Sequence, residues 1–146
     1  MKFISSYYNE EKGYSEVVVQ HLGVKFTGKA QVHPEEKNPS EYAGCQYAEI
    51  RAEIAALKYE RKIEKQKTDT IISFLKACKC YKYYNMEDDT SKVLHRQLNK
   101  NIDKVNSLTD EIDKRYKELN ILPKKREVTI KAIQRKRRTK EDNSNK

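Results

Sequence analysis

Two arginines carry the chemistry this sequence can offer. Arg51 lies one residue past Ile50 in a stretch rich in small residues, Gly44-Cys45-Gln46-Tyr47-Ala48-Glu49-Ile50-Arg51-Ala52. Arg96 stands with His95, Asn99 and Lys100, one turn around from Leu94 and Leu98. A planar guanidinium presents a fork of N–H donors that matches phosphate oxygens, and an aromatic ring beside it can stack on a base. Phe26, the tyrosines of the first strands and His33 stand on the N-terminal side of this pattern, where they could flank such a guanidinium. The candidate ligand-binding set is therefore Phe26, His33, Arg51, His95, Arg96 and Asn99, and the matching ligand is a small phosphate-bearing nucleotide. The competing account is plain: Arg51 bonds nearby Glu carboxylates, and Arg96 lays its stem on apolar surface with its head in water.

Other chemistry is not spelled in the chain. His21, His33 and His95 have no spacing that pairs them with one another or with cysteine as a metal site. Cys78 and Cys80 lie two apart on a helix, about 200° around its axis, so they cannot chelate together. No cysteine has a base at recognisable spacing, and glycines 13, 23, 28 and 44 form no phosphate loop. The expectation is a protein that is not an enzyme, with no metal and no cofactor.

The elements that must position these residues are legible from periodicity. Residues 2–8 alternate without a strong inside face, and Asn9 to Gly13 is a turn. Val17-Val18-Val19 favours a strand, His21-Leu22-Gly23 a short hairpin connection, and Val24 to Val32 a third strand. Gly28 marks a bulge or a point of close approach. These residues predict a three-stranded antiparallel meander over 2–33, which needs a helix on one face. His33 to Pro39 cannot be helical throughout, because each Pro turns its predecessor out of the α region.

Ser40 is the expected N-cap of a helix over 40–84, with Glu41 suited to the helix dipole. Its small residues, Ala43, Gly44, Ala48, Ala52, Ala55 and Ala56, interleave with Ile50, Ile54 and Leu57, and together they predict one face packed under the sheet. Lys58 to Thr70 reads as a solvated strut, and Asn85 to Asp89 as a turn. Leu98, Val105, Ile112 and Leu119 repeat every seven residues in a second helix over 90–120, thickened by Leu94, Ile102, Leu108 and Tyr116 and interrupted by Asn101 and Arg115. The fold class expected is α+β: a sheet packed on a long antiparallel two-helix hairpin, one domain over 1–122.

Size and charge set the class of partner. The chain has 146 residues, 36% apolar and 36% charged, with net charge +9. Residues 123–146 carry ten Lys or Arg against three acids, so the body before them is nearly neutral. An elongated protein with so thin a core gains most by burying surface against copies of itself, which predicts a homo-dimer or higher homo-oligomer. An antiparallel dimer would bring Arg96 beside the partner's sheet. The basic tail, with Lys124, Lys125, Arg126, Arg135, Lys136, Arg137 and Arg138, is a solvated terminus, a contact for nucleic-acid phosphates, or a dock for an acidic partner. No apolar run is long enough to span a bilayer, the N-terminus lacks a signal-peptide core, and three cysteines fit a reducing cytosol.

The stretch Gly28-Lys29-Ala30-Gln31-Val32-His33-Pro34-Glu35-Glu36, with Gly44 to Ala52, resembles a pattern in small phage proteins of Gram-positive hosts. A sheet followed by two long helices is similar to the Thoeris anti-defence proteins, and the resemblance covers about residues 1–120. Those are phage-encoded sponges for cyclic ADP-ribose-type signals made by bacterial TIR enzymes. The resemblance implies non-catalytic sequestration of such a signal in the cytoplasm of a bacterial host. Arg51 and Arg96 enter from their chemistry alone, and the basic tail is no part of the family. The alternatives are a helical nucleic-acid-binding protein that uses the tail, and a coiled-coil inhibitor of a host protein.

Overall fold

In a computed structural model, residues 1–33, 40–80 and 88–144 are described, with side chains except at 79–80, 88–89 and 122–144. The order is β1 (Lys2–Asn9), β2 (Tyr14–His21), β3 (Val24–Gln31), α1 (Glu41–Cys80) and α2 (Asp88–Ser144). The strands form an antiparallel meander in the order β1-β2-β3. The protein is therefore α+β, as expected. The connection through Pro34 to Pro39, the expected end of the first helix at 81–84 and residues 85–87 of the expected turn lie outside the described residues. Asp88 and Asp89 belong to α2.

β2 sets the polarity of the sheet. Val17 and Val19 are buried against α1, with Ser15 between the same strand and helix. Strand alternation then puts Phe26, Gly28 and Ala30 of β3 on the helix side, because they pair with Val19, Val17 and Ser15. The other face carries Glu16, Val18 and Gln20 with Lys25, Thr27 and Lys29. β2 and β3 turn through Leu22 and Gly23, both at positive φ (50° and 76°), which matches the twist a two-residue hairpin needs. Leu22 accepts a conformation that costs a side-chain-bearing residue about 1 kcal/mol.

Gly28 proves to be a close-approach point. β2 and β3 pair in unbroken register, and the irregularity in the sheet falls in β1, between Phe3 and Ser5. A Cβ on Gly28 would lie 1.8 Å from the Ala48 carbonyl oxygen and 2.6 Å from the Ala52 nitrogen. The strand therefore rests on the helix backbone itself. Ala48, Ala52 and Ala56, each fully buried, line the same face of α1. Gly44 is shaped by a similar contact, since its Cβ would meet the Ser15 hydroxyl at 2.2 Å.

Ser40 caps α1 as expected, its Oγ accepting from the Ala43 amide at 3.3 Å. The single underside face does not hold. Ala48, Ala52 and Ala56 meet the sheet, whereas Ile50, Ile54 and Leu57 lie on the nearly opposite side of α1 and pack with Leu108, Ile112 and Leu119 of α2. Alanine permits the closest approach to a strand, and the longer side chains fill the wider gap between helices.

The strut is also corrected. Ile50, Ile54, Leu57, Arg61, Glu64, Thr68, Ile71, Leu75 and Cys78 alternate spacings of four and three, a heptad seam whose middle is polar. Glu64 is 5% exposed, so the seam side of this stretch faces its neighbour, while Lys58, Lys62, Lys65, Gln66, Lys67, Asp69 and Thr70 are exposed. On α2 the matching seam runs Leu94, Leu98, Asn101, Val105, Leu108, Ile112, Arg115 and Leu119, with Asn101 buried. Ile102 and Tyr116 are 39% and 41% exposed and do not thicken it. Contacts of Glu53 with Arg115 and Glu64 with Lys104 fix the helices as antiparallel. α2 starts two residues before the expected Thr90 and continues through Pro123, past the expected stop at Asn120. Lysine, arginine and glutamate beyond Pro123 favour helix and offset the one hydrogen bond the proline lacks.

Gly28→Ala is expected to lower stability by about 3 kcal/mol, the upper end for overpacking, because backbone rather than side chain would have to move. Urea denaturation followed by circular dichroism measures this, and a loss below about 0.5 kcal/mol would show that strand and helix part easily here.

Candidate functional site

Arg51 projects from the exposed side of α1 at the open edge of β3 and donates from Nη1 to the Lys29 carbonyl at 2.5 Å. Neither of the expected accounts of this residue foresaw that bond. It occupies an edge carbonyl and holds the guanidinium in place with other donors of its fork still available. Tyr47 lies one turn earlier on α1, packed at the rim of the sheet core. Burial raises its phenol pKa, and the charge of Arg51 opposes that rise. A fixed guanidinium beside an aromatic ring is chemistry that suits a small anionic ligand with a planar group.

Phe26 does not present an open stacking face. Its ring packs on Tyr59 of α1 with centroids 5.4 Å apart and planes tilted by 51°. His33 is exposed beyond the end of β3. His95, Arg96 and Asn99 are all exposed on α2, at spacings that place them on one side of the helix. The His95 ring bonds back to the Ser91 carbonyl at 2.9 Å. The antiparallel register sets Arg96 level with residues near Ser73, about twenty positions and thus roughly 30 Å along α1 from Arg51. One chain does not bring the two arginines together. The side chains of Lys124, Lys125, Arg126, Arg135, Lys136, Arg137 and Arg138 lie outside the described ones.

A cleft of about 390 Å³ opens between α1 and α2, lined by Gln46, Glu49, Ile50, Glu53, Arg115, Glu118 and Ile121. Arg115 is shared between Glu53 at 3.2 Å and Glu118 at 3.1 Å. Burial pushes the Glu53 carboxyl up; Arg115 opposes this, while Glu49, Glu118 and Glu111 add to it. With its one cation already neutralised by two carboxylates, this cleft repels phosphate and suits a cationic group. It is not where the sequence places a ligand.

Sequence reasoning also missed a charged chain that ties all three layers together. His21 Nε2 of β2 lies 2.6 Å from Glu60 Oε2 of α1. Glu60 Oε1 meets Lys104 of α2 at 3.0 Å, and Lys104 reaches Glu64 at 3.6 Å. Glu64 also takes Lys67 at 2.9 Å, and Arg61 donates to Thr109 at 3.3 Å. Burial raises the Glu60 pKa, but hydrogen bonds from His21 and Lys104 outweigh it and hold the carboxyl below its ordinary 4.5. The bond to Glu60 in turn raises the pKa of Lys104. The signal that could have found this chain is the heptad phase of Arg61, Glu64 and Thr68, which continues that of Ile54 and Leu57.

Among the described residues, no group of three or more His, Cys, Asp or Glu could hold a metal ion, and no helix is long and apolar enough to cross a membrane.

A carboxylate whose folded pKa is depressed stabilises the fold fully above its unfolded value, and that contribution disappears as pH falls through the folded value. Wild-type stability should therefore drop as pH goes below 4.5. Glu60→Gln, which keeps the shape but not the charge, should cost about 1.5 kcal/mol at pH 7 and flatten that acid limb. Urea midpoints across pH 3 to 7 measure both, and an unchanged acid limb would show that Glu60 does not couple the layers.

No protein-family model matches the chain, and neither curated proteins nor solved structures give a significant match.

Proposed function

We propose that the protein acts by binding without catalysis, capturing a small phosphate-bearing nucleotide of the cyclic ADP-ribose type. This is the signal-sequestering role that the anti-defence resemblance implies, carried out in the cytoplasm of a phage-infected bacterium. The observation that carries the reading is the Arg51 guanidinium, anchored by the Lys29 carbonyl beside Tyr47 at an open sheet edge. An anchored cation has already lost much of its rotamer freedom, so less is lost on binding. The exposed group His95, Arg96 and Asn99 completes the site from a second copy, because within one chain it lies at the other end of the hairpin.

Titration calorimetry with cyclic ADP-ribose and its isomers tests this. Wild type should bind one nucleotide per chain, and Arg51→Ala and Arg96→Ala should each weaken binding about 30-fold or more, with the thermal midpoint little changed. Wild-type affinity in both variants would remove the nucleotide site.

A second reading, nucleic-acid binding, is favoured by the sheet face turned away from α1. Lys2, Lys25 and Lys29 share that face with Tyr7 and Tyr14, against a single acid, Glu16. Tyrosines among lysines can stack bases while the cations meet phosphates. That reading expects RNA or DNA affinity that falls steeply with salt and drops on deletion of residues 123–146. Affinity indifferent to salt between about 50 and 200 mM would exclude it.

A further inference from the structure

The two edges of the sheet are built differently. β3 carries Lys25 and Lys29, and Arg51 occupies the Lys29 carbonyl, so this edge is guarded by charge and by a side chain. β1 has one charge in eight residues, Lys2, and no proline. Every residue from Lys2 to Tyr7 is exposed, including Phe3 at 52%, Ile4 at 37% and Tyr7 at 57%. The break in register between Phe3 and Ser5 leaves Ser5–Asn9 in regular pairing with β2. A strand rich in aromatic residues and regular from Ser5 to Asn9, with its outer amides and carbonyls open, is a template for another strand.

We infer that β1 is the surface on which a second copy of this chain docks, edge to edge and antiparallel, joining two three-stranded sheets into one of six strands. Charge selects this partner. A twofold axis normal to the sheet near Ser5 and Ser6 sets an uncharged centre against its own copy. The two Lys2 residues then stand more than about 20 Å apart, well beyond the screening length of about 8 Å. Joining the β3 edges would instead crowd Lys25 and Lys29 against their like. Shape agrees with charge. Phe3 and Tyr8 pair with Val19 and Ser15, so they belong to the helix side of the sheet, yet Phe3 remains half exposed. In the six-stranded sheet these side chains occupy a trough walled by an α1 helix from each copy. A bare strand would wall one side only. The pairing leaves Arg51 on the outer β3 edges, so it is a contact made without nucleotide and separate from the one that would bring a second copy's Arg96 to Arg51. It survives the failure of nucleotide capture.

Sedimentation velocity on the full chain, with hydrogen exchange of the β1 amides, tests the inference. Wild type should sediment near twice its 17.2 kDa and dissociate on dilution. Amides of β1 that point away from β2 should exchange at least tenfold more slowly in the dimer than in the diluted monomer. The double variant Ile4→Lys, Tyr7→Lys alters exposed side chains and should be monomeric with wild-type circular dichroism. Should it fail to fold, exchange in the wild type decides alone. A monomeric wild type overturns the pairing, and so does an oligomer in which those outward amides exchange as fast as in the monomer.

Discussion

Backbone-to-backbone contact between β3 and α1 at Gly28 governs the rest of the structure. A helix can lie this close to a strand only where neither carries a side chain of any size, which is why Gly28 faces Ala48 and Ala52. This contact fixes the height of α1 over the sheet and turns a thin set of residues into a dry core of valine and alanine. It also determines which side of α1 remains for α2. With the alanine stripe committed to the sheet, the isoleucine and leucine stripe on the nearly opposite side must find another partner, and the second helix supplies it. Arg51 falls outside both stripes, which brings it to the sheet edge with water on one side.

Much of this was legible in the chain. Strand periods, the Leu22-Gly23 turn, the Ser40 cap and the seven-residue repeat of Leu98, Val105, Ile112 and Leu119 are local signals, and they yielded the element order and antiparallel hairpin. What escaped were faces defined by two helices at once. Hydrophobicity alone marks Lys58 to Thr70 as solvated, because it cannot see that Glu64 occupies a seam position closed by Lys104 and Lys67. The same limit merged two stripes of α1 into one, since alanine and isoleucine count alike as apolar while packing at different distances.

The candidate site was legible only in part. Arg51 was found through its place in a small-residue helix, but its bond to a main-chain carbonyl needs the register of β3 to be known. His95, Arg96 and Asn99 share a helix side, as spacing requires, yet nothing local reveals how far down the hairpin that side lies from the sheet. Phe26 shows the opposite error: an aromatic chosen for stacking on a ligand is already engaged within the fold, tilted against Tyr59.

The polar middle of the two-helix seam has a geometric consequence. Leucine and isoleucine zippers tolerate sliding by whole heptads, because one apolar layer substitutes for the next. Here Glu64 lies level with Val105 and Lys104, and a slip of seven residues either way would set it against Leu98 or Ile112, with Lys104 carried about 10 Å away and only Lys67 of its own helix kept. The hairpin is keyed at its centre, so its length serves as a gauge. The span from the sheet to the far turn is set by where one buried carboxylate finds its lysine.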